Sequence, residues 1–342
     1  MKNPLLQLID IDAFYARFDE FDLIIDARSP KEYSESHLPT AVNLYALNDA
    51  EHQEVGTMYV QSSKSDAKVR GARYICQNAS EHLQTIYEKF PLASKIGIYC
   101  ARGGLRSTSL ATIFAGTGYR VYKIDQGYKA VRKYILHYLA TFEHKNFIVL
   151  GGNTGCGKSE LLQKLSPAID LEGLANHFGS TFGLMNGQQP TQKAFQNTLA
   201  HKLFEIEKNS WIFAEGESKK IGSVIQPDIL YSRLQTGLRV EITAPLEQRV
   251  QRILKDYINI DDDYFYASME RITPYIRKEA KEEAIKSYEK RDLAKVAEIL
   301  LVDYYDKVYR KPKKVDFIID NSDEKIALAQ LNDLYKVVSK IK

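Results

Sequence analysis

The segment from Gly151 to Ser159 constrains this chain more than any other, because it reads Gly-Gly-Asn-Thr-Gly-Cys-Gly-Lys-Ser. It follows an apolar run at 147–150, contains the pattern G-x-x-x-x-G-K-S, and leads into a helical pattern that starts at Glu160. A strand, a glycine-rich loop and a helix in this order are typical of the phosphate-binding P-loop. Glycines let several backbone N–H groups point at one anion at a helix start, and Lys158 adds a positive charge. We therefore predict a phosphate or diphosphate site made of Gly152, Asn153, Thr154, Gly155, Cys156, Gly157, Lys158 and Ser159, with the Ser159 hydroxyl placed to hold Mg²⁺.

Two pairs of acidic residues follow apolar segments in the same half of the chain. Asp170 and Glu172 come after Ala168-Ile169, where the sequence predicts a strand that runs into an acidic turn. Glu215 and Glu217 come after Trp211-Ile212-Phe213-Ala214. In P-loop proteins an acid at such a place often assists the metal. The sequence therefore predicts Glu215 or Glu217 in this role, with Asp170 and Glu172 as further metal-assisting or substrate-binding candidates. The alternative is that each acid caps the following element.

A second loop has residues that indicate a chemical role, and it reads Cys100-Ala101-Arg102-Gly103-Gly104-Leu105-Arg106-Ser107. It follows a predicted strand at 95–99 and precedes a helix predicted to begin at Thr108. A helix start with two nearby arginines favours a reactive thiolate, and backbone N–H groups can surround an anionic group on that sulfur. The candidate catalytic residues are Cys100, Arg102, Gly103, Gly104 and Arg106. The alternative is a buried structural cysteine, which is the interpretation given to Cys76 and Cys156.

Length and composition set the class of protein. A chain of 342 residues predicts about two domains. No stretch approaches the ~20 apolar residues of a membrane span, and the first residues lack the apolar core of a signal peptide. Three cysteines do not make a disulfide framework, so a cytoplasmic protein is expected. A net charge of +3 gives no global nucleic-acid signature, so any RNA contact must be local.

The order of the predicted elements indicates two α/β domains. Short strands alternate with helices before the P-loop, which predicts a doubly wound parallel sheet in a domain at 1–136. A connecting segment at 137–145 leads to a P-loop α/β domain at 146–342. Its part at 246–309 is predicted to be a helical extension, and its last strand and helix are expected at 315–320 and 324–341. In that helix the buried positions are predicted to be Leu328, Leu331, Leu334, Val337 and Val338. Residues 54–73 are expected to form a mobile, moderately basic insertion.

The cysteine loop has the C-x5-R spacing shared by cysteine phosphatases and rhodanese-like sulfurtransferases. Tyr99 stands where phosphatases usually have a histidine, and the string from Asp26 to Asn43 resembles the rhodanese signature. The first domain is therefore identified as rhodanese-like. The resemblance implies that Cys100 carries a chalcogen or acts as nucleophile. It also implies loop-bracing roles for Asp26, Arg28, Glu32 and His37.

Taken together, the two domains resemble the tRNA 2-selenouridine synthase family. The resemblance also rests on segments 170–177, 189–192 and 215–222, while Phe178 departs from the arginine expected in relatives. It implies a transferase acting on wobble-position 2-thiouridine in tRNAs for Lys, Glu and Gln. Geranyl diphosphate would alkylate the sulfur, and selenophosphate would then supply selenium, with Cys100 carrying selenium or assisting displacement. No tightly bound cofactor is implied, Mg²⁺ is expected at the P-loop, and no membrane contact is expected.

The residues alone leave two other classes of function possible. An NTP-dependent kinase or NTPase with a rhodanese domain as sulfur supplier would need lid arginines, for which Arg249 and Arg252 are the candidates. A nucleotide-binding switch with an inert rhodanese module is the other alternative, although the intact Cys100 loop argues against inertness. A local RNA contact is a further hypothesis for the basic cluster at 310–314 and for Lys64, Lys68, Arg70 and Arg73.

Overall fold

The computed structural model describes residues 4–177, 187–257, 260–309 and 314–340. The chain divides into two compact units. One consists of Met1–Tyr138 with Gln196–Thr198, and the other of Leu139–Phe195 with Leu199–Lys342. Phe178 and four members of the basic cluster, Arg310 to Lys313, lie outside the described residues.

The first unit alternates strands and helices as the sequence predicts. Its strands are Leu6–Ile9 (β1), Leu23–Asp26 (β2), Ala41–Asn43 (β3), Lys95–Tyr99 (β4) and Arg120–Ile124 (β5). Its helices are Ile11–Ala16 (α1), Pro30–Glu35 (α2), Asp49–Gln61 (α3), Lys64–Lys89 (α4), Leu105–Gly116 (α5) and Gly127–Thr141 (α6), with a 3₁₀ turn at Phe18–Glu20. The sheet has the order β1-β5-β4-β2-β3, and every pair of strands is parallel.

The central strands of this sheet are buried along their length. All four residues of β2 and the last four of β4 are buried, as expected where helices cover both faces of a parallel sheet. Helix α5 packs on the sheet through Leu110, Ala111 and Phe114, which are fully buried. The sheet therefore holds the carboxyl end of β4, and Cys100 with it, on a rigid base.

The predicted mobile insertion is wrong, because residues 54–73 lie within two packed helices. Asn48 and Glu51 form a capping box at the start of α3, and Ser63 caps α4. Helix α4 buries one side chain or glycine at each turn, namely Ala67, Gly71, Ile75 and Ala79. Three of these four residues are small, which lets α4 pack closely, and polarity alone did not reveal this.

The second unit contains a second parallel sheet and most of the helices. Its strands are Phe147–Gly151 (β6), Ala168–Ile169 (β7), Ile212–Glu215 (β8), Lys220–Ile221 (β9), Val224–Ile225 (β10), Leu238–Thr243 (β11) and Phe317–Asp320 (β12). Its helices are Lys158–Lys164 (α7), Leu171–Ala175 (α8), Gln192–Ile206 (α9), Asp228–Thr236 (α10), Leu246–Tyr257 (α11), Asp262–Ile272 (α12), Lys278–Glu289 (α13), Leu293–Leu300 (α14), Asp306–Val308 (α15) and Glu324–Val338 (α16). A 3₁₀ turn lies at Thr273–Tyr275 and a π-helical turn at Leu301–Tyr305.

The P-loop strand stands in the middle of this sheet. The strand order is β12-β11-β6-β8-β7, all parallel, and β9 and β10 form a separate antiparallel hairpin. In such a sheet the loops after neighbouring strands meet at one edge, which brings the loop after β6 near the end of β8. The predicted α/β fold class is confirmed, and the described part of 246–309 is helical apart from short turns.

Two predictions about local structure in this unit need correction. The strand expected from Ala168 is only two residues long, and the acidic turn after it is the short helix α8. In α16, Leu331 and Val338 are buried as predicted, but Val337 is 58% exposed and the buried position belongs to Ala327. No helix among the described residues is long and apolar enough to cross a membrane.

Candidate functional site

Glycines set the path of the P-loop. Gly152, Gly155 and Gly157 have positive φ angles of 140°, 79° and 88°. A Cβ on Gly152 would lie 2.3 Å from the carbonyl oxygen of Ile242, and one on Gly157 would lie 2.4 Å from Nδ2 of Asn321. Any side chain there would combine a disfavoured backbone conformation with a clash. The loop therefore requires glycine at these places, as the motif predicts.

The carbonyl groups of the P-loop are held from one side. Arg249 Nε donates to the Thr154 carbonyl at 2.9 Å, Arg252 Nη1 to that of Gly155 at 3.3 Å, and Asn321 Nδ2 to that of Cys156 at 2.8 Å. In a trans peptide the N–H of the next residue points opposite to the carbonyl. The N–H groups of Gly155 and Gly157 are thus turned to the other side, where an anion can bind.

Arg249 and Arg252, the two candidate lid arginines, form hydrogen bonds and ion pairs that hold the P-loop carbonyls in place. Arg249 is buried and donates to both carboxylate oxygens of Asp306, at 2.9 and 2.6 Å. Arg252 forms an ion pair with Glu160 at 3.2 Å and donates to the Asn321 carbonyl at 3.0 Å. They brace the loop from its carbonyl side, which is a different role from a lid that closes over phosphates.

Gly152 and Asn153, the first two residues of the predicted phosphate site, already form hydrogen bonds with other parts of the protein. The Gly152 N–H donates to the Tyr309 hydroxyl at 2.8 Å, and Asn153 Nδ2 donates to Asp306 at 2.8 Å. Burial and the nearby Glu241 raise the pKa of Tyr309 to about 12, so its hydroxyl keeps its proton and donates to Glu241 at 3.1 Å. Because the Cys156 N–H also donates to the Asn153 carbonyl, at 3.1 Å, the N–H groups of Gly155 and Gly157 and the side chains of Lys158 and Ser159 are the part of the loop left for an anion.

Lys158 is placed as the positive charge of this site. Its Nζ donates to the Gly152 carbonyl at 2.8 Å. Although burial opposes its charge, Cys156 and the carboxylates of Glu172, Glu217 and Glu215 raise the pKa of Lys158 above its ordinary value. The ammonium group is therefore charged at neutral pH and can balance a phosphate or diphosphate.

Three carboxylates meet beside Ser159. Ligand oxygens of Glu172, Glu215 and Glu217 all lie within 4.8 Å of one another. Ser159 Oγ donates to Glu172 at 3.3 Å, and the Glu172 N–H donates to Glu215 Oε2 at 3.0 Å. Burial first, and then the neighbouring acids, raise the pKa of Glu215 and of Glu172 well above the ordinary value. The sequence named these three acids and Asp170 as candidates, and the structure brings the three together.

The acid cluster fits a hard divalent cation. Glu215 is fully buried, and its Oε1 has no hydrogen-bond partner among the described residues. An orphaned buried oxygen is costly unless a cation or a donor satisfies it. Carboxylate and hydroxyl oxygens are the ligands that Mg²⁺ prefers. Asp170 lies outside the cluster and instead caps α8 by accepting from the Gly173 N–H at 2.6 Å, so its capping alternative holds.

We expect Mg²⁺ to stabilise the folded chain through this cluster. A cation at a hundredfold excess over its Kd stabilises by about 2.7 kcal/mol, which thermal unfolding with and without EDTA will detect. Glu215→Gln keeps an acceptor for the Glu172 N–H but removes a buried charge, so most of the Mg²⁺-dependent rise in Tm should disappear. Asp170→Asn, which preserves the helix cap, is the matched control and should respond as the parent does. Equal Mg²⁺ shifts in Glu215→Gln and the parent would contradict this assignment.

The cysteine loop lies at the carboxyl end of β4, as predicted. Cys100 is 2% exposed, and the hydroxyl of Ser107 donates to its Sγ at 3.1 Å. Gly103 has a φ of 65°, and Gly104 is the N-cap of α5, which therefore begins at Leu105, earlier than predicted. The sulfur thus sits at a helix start with a buried hydroxyl donor against it.

The start of α6 packs directly on this loop. The Tyr128 N–H donates to the Cys100 carbonyl at 2.8 Å, and the Lys129 N–H donates to that of Ala101 at 3.1 Å. A Cβ on Gly127 would lie 2.1 Å from the Cys100 carbonyl oxygen, and its φ is 56°. Gly127 is therefore required for the close approach, a role that the sequence did not reveal.

The two arginines of the loop have different environments. Arg106 forms an ion pair with Glu32, in which its Nη2 lies 3.3 Å from Oε1. Burial alone would raise the pKa of the Glu32 carboxyl. The Arg106 guanidinium outweighs burial and holds that pKa below its ordinary value. Arg102 is exposed on the loop. Arg106 is thus tied to the capping residue of α2, whereas Arg102 faces solvent.

The residues assigned to bracing form a buried network. Arg28 donates to Asp26 at 2.6 Å and to the Ser36 carbonyl at 2.7 Å, and both side chains of the ion pair are buried. The Arg28 guanidinium also lies 3.8 Å from the ring centre of Tyr128. His37 is stacked on Tyr33 with ring centres 3.8 Å apart. These contacts match structural roles in holding the loops after β2.

Comparison with known proteins gives the family. Residues 145–273 match the family model described as tRNA 2-selenouridine synthase AAA domain, and residues 10–134 match that of the rhodanese-like domain. The tRNA 2-selenouridine synthase of Hydrogenovibrio crunogenus is 38% identical over 247 residues, covering 69% of this chain and 68% of that protein. The chain belongs to the tRNA 2-selenouridine synthase family. That of Psychromonas ingrahamii is 34% identical over 246 residues, covering 71% of this chain and 67% of that protein.

A solved structure matches part of this family member. The N-terminal domain of an ATP/GTP-binding protein from Clostridium difficile 630 shares 32% sequence identity, covering 38% of this chain and 99% of that one. The TM-score is 0.34, a level at which the likeness adds nothing to the fold described above.

Two segments that carried the family resemblance form one structural unit. Gln189 Oε1 accepts from the Ser223 N–H at 2.7 Å, and Gln192 exchanges hydrogen bonds with the backbone of Ile225 at 2.9 and 2.8 Å. Gly222 has a φ of 58°, and a Cβ there would lie 2.0 Å from Gln189 Oε1. The segment at 189–192 therefore fixes the β9–β10 hairpin, which follows Glu217 directly.

Ser107 is a positioning residue that sequence analysis did not single out. A hydrogen bond to a charged acceptor contributes about 1.5–3 kcal/mol, so Ser107→Ala should slow alkylation of Cys100 by iodoacetamide about tenfold or more at neutral pH. The rate is measured by mass spectrometry of the Cys100 peptide in a Cys76→Ser background. Thr112→Ala, which removes an exposed hydroxyl of the same helix, is the control. Equal rates in the Ser107→Ala and parent proteins would show that the hydroxyl does not stabilise the thiolate.

Proposed function

We propose that this chain converts wobble-position 2-thiouridine in tRNAs for Lys, Glu and Gln into 2-selenouridine. S-geranylation by geranyl diphosphate comes first, and selenium from selenophosphate then replaces the geranylthio group. The relatives are named for 2-selenouridine formation in tRNA. The observation that carries the proposal is a charged P-loop beside three carboxylates in a chain that also holds Cys100 at a helix start.

The first step needs stabilisation of a leaving diphosphate. The sulfur of 2-thiouridine attacks the allylic carbon of geranyl diphosphate, and the C–O bond breaks so that both electrons leave with the diphosphate. The N3 proton of the nucleobase is released to solvent. Negative charge grows on the diphosphate, where Lys158 and the N–H groups of Gly155 and Gly157 can bind it. A loop braced through its carbonyls is already arranged for this charge.

Mg²⁺ would be held by Glu172, Glu215, Glu217 and Ser159, and when bound it supplies further neutralisation of the diphosphate. The carboxylates and Ser159 orient one another through the contacts at 3.3 and 3.0 Å. Lys158 supplies its own positive charge independently of a cation. The chain therefore divides the binding of the leaving group between a loop and an acid cluster.

The second step exchanges sulfur for selenium. Alkylation makes the sulfur a better leaving group, so selenium can add at C2 of the base while geranylthiol departs, and water splits the selenium–phosphorus bond to release phosphate. Cys100 serves this step by assisting the displacement at C2, in which its sulfur forms no bond to selenium and is not oxidised. The Cys100 sulfur accepts a hydrogen bond from the Ser107 hydroxyl and lies at the start of α5.

Release of inorganic diphosphate tests the first step. Incubation with geranyl diphosphate should release diphosphate when the anticodon stem-loop contains 2-thiouridine, and not when it contains uridine. Turnover of ATP without RNA would instead support the NTP-dependent alternative. Because Arg249 and Arg252 are bound to Asp306, Glu160 and loop carbonyls, the described residues give that alternative no phosphate-directed arginine pair.

A further inference from the structure

Residues 49–73 form a helical arm in the first unit, which consists of α3, the turn at Ser62-Ser63 and the first ten residues of α4. Its two helices pack closely, because a Cβ on Gly71 would lie 3.4 Å from Cγ1 of Val55. Within this range, which is described throughout, α3 has no buried residue and α4 buries only Ala67 and Gly71. Most of the arm's surface is therefore open to a partner.

Positive charge is concentrated at the start of α4. Its first ten residues contain four basic side chains and one acidic one, whereas the rest of the helix contains one basic and two acidic side chains. Arg70 pairs with Glu54 at 3.7 Å. Lys64, Lys68 and Arg73 are exposed and have no carboxylate within ion-pair distance in the described part of the chain. Three exposed cations without an acidic partner favour a polyanionic ligand.

An exposed aromatic ring adjoins these cations. Tyr59, in the last turn of α3, is 46% exposed, and its ring centre lies 5.6 Å from Lys64 Nζ. Unpaired RNA bases stack on aromatic side chains, while lysines and arginines contact the backbone phosphates. This combination favours RNA with unpaired bases over an acidic protein segment, which offers no base to stack.

The arm begins beside the cysteine loop. The Lys31 N–H donates to Asp49, the first residue of α3, at 3.0 Å, and the neighbouring Glu32 pairs with Arg106 of the cysteine loop. Burial first, and then the Arg106 guanidinium, lower the pKa of His52 in the first turn of α3. From this place α3 extends for 13 residues, which is about 20 Å at a rise of 1.5 Å per residue. A few nucleotides of an extended RNA strand cover that distance.

We propose that the arm binds backbone phosphates of the tRNA substrate through Lys64, Lys68 and Arg73, with the wobble base held at the cysteine loop. This inference rests on the proposed function for the identity of the RNA. Phosphate contacts fix the position of a nucleic acid and carry no direct sequence information. The arm therefore adds affinity for RNA, and recognition of the 2-thiouridine base is left to other residues.

Removing the three cations should weaken RNA binding and reduce its salt dependence. For the triple variant Lys64→Ala/Lys68→Ala/Arg73→Ala we expect the Kd for a 2-thiouridine anticodon stem-loop to rise about tenfold or more at about 50 mM salt, and the slope of log Kd against log salt to fall by about two, at ~0.7 per phosphate contact. Fluorescence anisotropy over a range of salt concentrations measures both. The variant Lys64→Arg/Lys68→Arg/Arg73→Lys keeps every charge and should bind as the parent does. Circular dichroism confirms the fold of each variant.

The matched control removes one arginine and two lysines from the second unit, where Arg271, Lys286 and Lys290 are equally exposed and have no ion pair among the described residues. Its alanine triple should keep the parent's Kd and slope. An unchanged Kd in the arm's alanine triple, or an equal loss in the control, would overturn the arm's assignment. The proposed function would survive either result if the parent still forms 2-selenouridine. A parent that modifies no 2-thiouridine RNA, while only the arm's alanine triple loses RNA affinity, would overturn the proposed function and leave the arm as an RNA-binding element.

Discussion

Lys158→Ala is expected to reduce S-geranylation of 2-thiouridine RNA by a factor of about 10²–10³ or more, the range found when one preorganised charge-stabilising group is removed from a site. The reason is that the ammonium group is held beside the loop by the Gly152 carbonyl and kept charged by Glu172, Glu215 and Glu217. Its removal leaves the departing diphosphate with one positive charge fewer in the transition state. The measurement is the rate of geranylated product formation by mass spectrometry at saturating RNA.

Lys164→Ala is the matched control for this variant. Lys164 belongs to the same helix, α7, but its side chain is 51% exposed and pairs with Glu324. It should geranylate at the parent's rate. A Lys158→Ala protein that is folded and still geranylates at the parent's rate would show that the P-loop does not bind the leaving group.

Cys100→Ala should have the opposite pattern, with geranylation retained and selenation lost. The Cys100 sulfur lies in a separate loop and contacts Ser107, whereas the residues proposed to bind a diphosphate all lie after residue 150. Geranylated RNA is therefore expected to accumulate when the variant receives both geranyl diphosphate and selenophosphate. The ratio of geranylated to selenated product is the measurement.

Cys76→Ala serves as the control for the loss of a thiol, because Cys76 is exposed on α4 and not, as the sequence analysis predicted, buried. It should convert RNA to the selenated product as the parent does. Loss of geranylation in Cys100→Ala would contradict the division of the two steps between the two loops.

Local patterns made much of the site predictable. The P-loop could be identified because its glycines, Lys158 and Ser159 must be adjacent in the chain for the loop to form. Glu215 was predictable for a related reason, since parallel strands end at one edge of the sheet and it ends β8. Glu172 and Asp170 were not separable by sequence. Asp170 turns back to cap α8, which leaves Glu172 to face Ser159.

Contacts between residues far apart in the chain could not be predicted from the sequence. The bond between Arg249 and Asp306 joins residues 57 positions apart, and it turns candidate lid arginines into supports of the loop. The ion pair between Arg106 and Glu32 spans 74 positions. Such partners depend on how α11 and α2 are placed by the sheets, and no periodic pattern in the sequence encodes that placement.

The proposed function requires that one chain both geranylates and selenates 2-thiouridine in tRNA. Mass analysis of a 2-thiouridine anticodon stem-loop incubated with the protein and geranyl diphosphate, with and without selenophosphate, tests it most directly. We predict geranylated RNA when selenophosphate is omitted and 2-selenouridine when it is present. Unmodified 2-thiouridine in both reactions would contradict the proposed function.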